Sequence, residues 1–266
     1  MGILNVTPDS FSDGGKFSSI SAALTQAKKM LSEGASIIDV GGESTRPGAS
    51  TVSSEEECQR VLPVIEALRE ESDCVISIDS SKPEVMHEAV KAGANFINDV
   101  RALQAPGALD MASKLQVPVC LMHMQGDPHN MQNAPIYNNV VDDVKKFLIE
   151  RIQAANDAGI PTDKIIIDPG FGFGKSQSHN ICLFKSLNRF IEMNVPVMVG
   201  VSRKSIVGAI LDNAPAHQRV NGSVALAALA GYMGALIIRV HDVKPTVDAL
   251  KVAMAVSEVM TEKEAS

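Results

Sequence analysis

Positive charge is in deficit: 24 Lys and Arg stand against 31 Asp and Glu in 266 residues, a formal net charge of −7. A surface of that sign repels nucleic-acid backbones and anionic membranes, which excludes both as partners and leaves any bound phosphate to local basic residues. No run of 18 apolar residues occurs, and the opening Met1 to Val6 lacks the basic flank and apolar stretch of a signal peptide. The expected compartment is therefore the cytoplasm, and Val6 stands where a myristoylation signal needs Ser or Thr, so the opening Met-Gly reads as no lipid site. The four cysteines, Cys58, Cys74, Cys120 and Cys182, form no C-x-x-C pair and no zinc spacing, and read as reduced, mostly buried thiols. Tryptophan is absent and aromatics reach only 4%, but 45% hydrophobic and 21% charged residues make an ordinary globular mix that excludes disorder and collagen.

What is present is a repeated alternation. Short β-branched runs recur at Gly2 to Val6, Ile37 to Val40, Val75 to Ile78, Phe96 to Val100, Val117 to Met122, Ile165 to Ile167, Val197 to Val201 and Ile237 to Val240. Helical spacing fills the gaps, as at Ile20 to Ser32, Ser54 to Glu70, Pro83 to Ala92, Val140 to Ala158 and Asn221 to Met233. The runs are apolar nearly throughout, which suits parallel strands covered on both faces. Eight strand–helix units of about 30 residues fill the chain, predicting an α/β fold, a single (β/α)8 TIM barrel over residues 1–266. Ser53 with Glu56 reads as a capping box, Pro83 as a first-turn proline, and Gly34, Gly93, Gly159 and Gly234 as helix ends. Three of those glycines recur as Gly-Ala before a strand, as if one module were reused around a ring. A doubly wound open sheet is the rival, but it would gather ligand groups at one switch point, whereas polar residues here follow nearly every strand.

Those residues are Asn5, Asp39, Asp79, Asn98 with Asp99, His123, Asp168, Arg203 with Lys204, and Arg239 with His241. In a barrel they converge on the rim at the C-terminal ends of the strands, where active sites lie. Taken singly, an Asp at a strand end is as often a cap or turn residue. Asp79, Asn98 and Asp168 follow long apolar runs, so they belong at the bottom of a pocket and demand donors. A flat ligand edge with adjacent N–H groups, as in an aminopyrimidinone, would supply them; acid–base catalysis is the alternative use. Arg203, Lys204, Arg239 and His241, with Arg46 in a loop, can neutralise phosphate, helped by the N-terminus of the helix after His241. Other motifs fail: Gly170 to Ser176 is neither a Walker loop nor G-x-G-x-x-G, Lys204 replaces the glycine a nucleophile elbow needs, and the six histidines form no zinc pattern. A hard cation held mostly by diphosphate oxygens fits better. The loops Thr7 to Ser18 and Gly41 to Ser53 read as mobile covers that exclude water.

Seven stretches carry a family resemblance: GILNVTPDSFSDGG (2–15), IIDVGGESTRPGA (37–49), FINDVRAL (96–103), LMHMQG (121–126), DPGFGFGK (168–175), GVSRKS (200–205) and IIRVHDV (237–243). In that order they resemble the dihydropteroate synthases of the pterin-binding barrel family. The resemblance implies condensation of 6-hydroxymethyl-7,8-dihydropterin diphosphate with p-aminobenzoate, giving 7,8-dihydropteroate and diphosphate. By motif it implies that Asp79, Asn98, Asp168 and Lys204 bind the pterin edge and that Asp79, Asp168 and Lys204 carry the catalysis. Met122 and Phe173 would contact the ring or the adjoining pocket, and Asn5 would ligate Mg2+. Thr45, Arg46, Arg239 and His241 would hold the diphosphate; Phe11, Pro47, Phe173 and Ser205 would shape the p-aminobenzoate pocket, with Asp39 in support. A homodimer is also implied, with the late helices as the interface. Family members commonly carry a stretch before the first strand that closes the barrel floor, whereas this sequence opens at the strand, so floor packing is where a cost is expected. Two rivals remain. A corrinoid methyltransferase shares the pterin-binding barrel but needs no diphosphate site, and a pterin-binding scaffold would bind without turnover.

Overall fold

The computed structural model describes residues 1–7, 15–44, 52–126, 131 and 135–264, with 15–19 and 258–264 described by their backbone alone. Six strands lie parallel in chain order: β1 (Gly2–Asn5), β2 (Ile37–Gly41), β3 (Val75–Asp79), β4 (Phe96–Asp99), β5 (Val119–Met122) and β6 (Ile165–Asp168). Two short strands, β7 (Met198–Val199) and β8 (Ile237–Ile238), pair parallel beside them. Single bridges complete the ring: Ile167 N donates to Pro196 O at 2.9 Å, and Ile3 N to Val240 O with Val240 N to Met1 O, both at 2.9 Å. These bonds join β6 to β7 and β8 back to β1, so the sheet is a barrel and the open alternative is excluded.

The helices are α1 (Gly15–Ser32), α2 (Ser54–Glu71), α3 (Pro83–Lys91), α4 (Ala108–Leu115), α5 (Val140–Asp157), α6 (Gln177–Lys185), α7 (Asn188–Ile191), α8 (Ser205–Ile210), α9 (Val220–Tyr232) and α10 (Val243–Glu264). Repetition in the sequence becomes repetition in bonding. Ala35, Ala94 and Ala235 each donate N–H to the carbonyl five residues back, at 2.9 Å, while the preceding glycine bonds three back. The capping box is half realised at α2: Ser53 accepts from Glu56 N, but Glu56 holds Arg60 at 2.5 Å. The complete box caps α6, where Ser176 and His179 reciprocate.

Strand residues alternate faces. Leu4, Ile38, Val40, Ile76, Ile78, Ile97, Leu121 and Ile167 point out into the core beneath the helices. Phe96, Cys120, Ile166 and Met198, with Ile37 and Ile237, fill the lower interior. Above that floor the interior turns polar, which corrects the reading of strands apolar on both faces. Register places Asn5 beside Gly41, Gly41 beside Asp79, Asp79 beside Asn98, and Met122 beside Asp168, one tier at the C-terminal rim. The cysteines are all free, but only Cys120 is buried; Cys58 and Cys74 are half-buried and Cys182 is exposed.

Candidate functional site

Asp39 and Asn98 sit inside the ring, both buried, and Asn98 Nδ2 donates to the two Asp39 oxygens at 3.4 and 3.3 Å. From β8 across the barrel, Arg239 sends Nε to Asp39 Oδ2 and Nη2 to Asp79 Oδ2, each at 2.6 Å. Burial pushes Asp79 up to about 7, with the Arg239 guanidinium pulling the other way. Arg239 itself is burdened by desolvation, which Asp39 and Asp79 outweigh, so it is held above its ordinary value and stays charged. Charge and counter-charge therefore meet at one mouth.

Asp168, at the end of β6, accepts from Gly170 N at 2.7 Å; burial raises its pKa against the pull of Lys204 and that N–H. Lys204 donates Nζ to Phe171 O at 2.7 Å and lies 4.6 Å from the centroid of the Phe173 ring, a cation–π contact. Burial lowers Lys204 to about 8, and the nearby Asp168 opposes that shift. Phe173 packs with Met122 and Met131, and Val100 and Met124 border them, forming an apolar wall beside the charged groups. A flat polar-edged ring has both of its requirements here: acceptors below and an apolar face alongside.

Toward β1, Asn5, Arg203 and His241 line a hollow of about 690 Å³ with residues of α1. Ser202 Oγ lies 3.0 Å from His241 Nδ1 and accepts from His241 N at 3.2 Å, which fixes the imidazole. Arg203, expected to neutralise phosphate, is instead bound at both ends of its fork to Asp242, at 2.9 and 2.6 Å. Its backbone is left-handed (φ +57°), and its N–H donates to Ser223 Oγ at 2.8 Å. A carboxylate three residues past Arg239 claims the charge. Asp99 also leaves the rim set: it faces outward, accepting from Ser81 Oγ and from the N–H groups of Arg101 and Leu103, and so organises a turn. Ser205 opens α8 and is exposed. Phe11, Thr45, Arg46 and Pro47 lie outside the described residues, as do most of the two loops read as mobile covers.

Sequence reasoning missed Lys175. It is 3% exposed, and its Nζ lies 2.9 Å from His123 Nδ1, behind the Phe173 wall. Burial, with Lys175 nearby, drops His123 to about 2, so the imidazole is neutral and Nδ1 accepts. The one signal available was a lysine closing a glycine-rich run, and lysine is by default a surface residue.

Residues 1–241 match the family of pterin binding enzymes. Over 255 residues the chain is 54% identical to the dihydropteroate synthase of Escherichia coli (strain K12), covering 96% of this chain and 90% of that protein. It is 56% identical to the dihydropteroate synthase of Haemophilus influenzae, covering 96% and 92%. Yersinia pestis dihydropteroate synthase, solved with a sulfonamide drug complex, superposes with a TM-score of 0.92 at 52% identity, covering 97% of this chain and 93% of that one. The Xanthomonas albilineans enzyme in complex with 7,8-dihydropteroate superposes with a TM-score of 0.87 at 50% identity, covering 96% and 92%.

Proposed function

The chain belongs to the pterin binding enzymes and, among them, to the dihydropteroate synthases, and on that premise we propose how its residues join the pterin diphosphate to p-aminobenzoate. The observation that carries the division of labour is the meeting of Asp39, Asp79, Asn98 and Asp168 with Arg239 and Lys204 at one barrel mouth. Asp79, Asn98 and Asp168 take the N–H edge of the pterin, and Lys204 donates to its acceptor side. Met122 and Phe173 bound the ring. As the C–O bond to the diphosphate breaks, the electron-rich dihydropterin spreads positive charge from the methylene carbon, and the fixed carboxylates stabilise it without reorganising. Arg239 spends two of its five donors on Asp39 and Asp79, leaving the rest for the departing diphosphate beside His241.

Among the described residues no three His, Cys, Asp or Glu side chains converge to hold a metal ion. Asn5, with a single amide oxygen at the rim, fits a Mg2+ that takes most of its ligands from diphosphate and water. When bound, that cation neutralises leaving-group charge. The weakly nucleophilic aniline nitrogen is aligned against the apolar wall that includes Phe173, with Ser205, Phe11 and Pro47 completing its pocket, while Thr45 and Arg46 add to the diphosphate site. No helix among the described residues is long and apolar enough to cross a membrane. Free cysteines suit a cytoplasmic enzyme, and exposed Leu229, Leu236 and Val252 on and beside the late helices suit a homodimer.

A release assay tests the reading: protein, Mg2+ and pterin diphosphate with and without p-aminobenzoate, measuring inorganic diphosphate. Release that requires the amine is the expected result. Pterin binding with no release under these conditions would return the scaffold or methyltransferase reading.

A further inference from the structure

Lys175 plays no part in the chemistry above, yet it is among the most heavily bonded side chains near the site. Its Nζ meets four acceptors: Gly170 O at 2.8 Å, His123 Nδ1 and Phe173 O at 2.9 Å, and His123 O at 3.2 Å. His123 follows β5, whereas Gly170 and Phe173 follow β6, so one side-chain nitrogen, whose pKa burial pulls well below the ordinary lysine value, ties the ends of two strands together. The loop between Gly170 and Lys175 is wired elsewhere too. Gly172 N donates to Asn180 Oδ1 at 2.7 Å, Tyr137 Oη to Gly174 O at 2.7 Å, and Lys204 Nζ to Phe171 O at 2.7 Å. The backbone of that loop runs so close to β5 that a Cβ on Gly170 would lie 1.8 Å from His123 O, at a φ of +72°. Only glycine fits, and only a donor at the Lys175 position satisfies the carbonyls that this approach buries.

We propose that Lys175 is a positioning residue for the condensation: it clamps the Gly170–Lys175 loop to His123 and thereby sets the Phe173 ring and the Phe171 carbonyl that hold Lys204. Removing the clamp takes Nζ from the His123 nitrogen and three carbonyl oxygens, of which Gly170 O keeps Phe173 N at 3.1 Å, and a shift of about 1 Å in a substrate-positioning group is enough to slow a reaction by orders of magnitude. The inference rests on the assignment of Phe173 to the p-aminobenzoate pocket.

The test is a double-mutant cycle in steady-state kinetics: Lys175→Gln, Phe173→Ala and both together. Lys175→Gln is expected to raise KM for p-aminobenzoate at least tenfold, with a smaller change for the pterin diphosphate. In the Phe173→Ala background the same substitution is expected to change this KM less than twofold, because the ring through which it acts on p-aminobenzoate is gone, while the Phe171 carbonyl route to Lys204 bears on the pterin diphosphate. An unchanged KM, or an equal factor in both backgrounds, overturns the inference, since general structural damage multiplies. Should Lys175→Gln not fold, His123→Phe, which keeps a ring and removes the Nδ1 acceptor, enters the same cycle and is judged by the same two outcomes. A wild type that releases no diphosphate overturns the functional reading and this inference with it; a wild type that turns over beside a multiplicative cycle overturns the inference alone.

Discussion

In the proposed role, Asp79 accepts charge-assisted hydrogen bonds from a pterin edge only when ionised, yet burial pushes it up to about 7. At pH 6 only about a tenth of such a group is ionised, so pterin affinity is expected to fall about tenfold for each unit below 7. Folding stability of the ligand-free protein runs the other way. A raised carboxyl pKa is stability present at low pH and lost as pH rises from the unfolded value of about 3.9 through about 7. Calorimetry of pterin diphosphate binding from pH 6 to 7.5 checks the first expectation, with Asp79→Asn as the control that removes this slope; an affinity flat in pH for the wild type would contradict it. Asp79, Asn98 and Asp168 were legible in the sequence because each closes an apolar run, and a strand end in a barrel is an address. Arg203 and Asp99 stand at equally good addresses and do other work. Their partners, Asp242 and Ser81, are fixed by which way the chain turns after the strand. Lys175 was illegible because its four acceptors are mostly backbone carbonyls, which carry no sequence signature.

Elements are held in place by pairs that the periodicity does not show. Lys82, the residue before α3, reaches Glu57 on α2 at 2.5 Å and Glu43 past β2 at 2.6 Å, and Glu57 is 1% exposed. Burial raises the Glu57 pKa, opposed by Lys82, and among the described residues its Oε1 has no hydrogen-bond partner. Lys82→Met would leave that carboxylate buried and unpaired, with an expected loss of about 3–5 kcal/mol in urea unfolding. Replacing both partners, Lys82→Met with Glu57→Leu, should recover most of it; a single variant costing under about 1 kcal/mol would show the pair to be idle. Strand existence and order were readable from β-branched runs, but the face alternation in IIDVG, VISID and FIND was submerged, because the outward positions are apolar except for Asp99 and the inward ones change from floor to mouth. The ends of β7 and β8 came out shorter than their runs. The neighbouring bridges at Val197 and Val240 are single contacts and extend neither ladder. The short α4, α6, α7 and α8 carry no helical spacing named from the sequence, and the α6 box uses His179 where the usual signature has Glu or Gln.

At the scale of the whole molecule, the barrel explains how one chain brings the described site residues together by itself. Strands from every quarter of the ring end at one mouth, so association is free to use another surface. Leu229, Tyr232, Leu236, Val252 and Val256 are exposed on α9, α10 and the turn from α9 into β8, with Leu236 71% and Val252 67% exposed. An isologous dimer sets such a patch against its own copy. Each copy carries a net charge of −7, so like-charge repulsion opposes the apolar burial and is screened over about 8 Å at physiological salt. Sedimentation is therefore expected to give twice the chain mass, with tighter association as salt is raised. Val252→Lys should shift the protein to the single-chain mass by burying an unpaired charge at the patch. Diphosphate release per chain should survive the shift, because the mouth belongs to one barrel. A wild type sedimenting at the single-chain mass would remove the dimer. A Val252→Lys variant that still sediments at twice that mass would move the interface to another face.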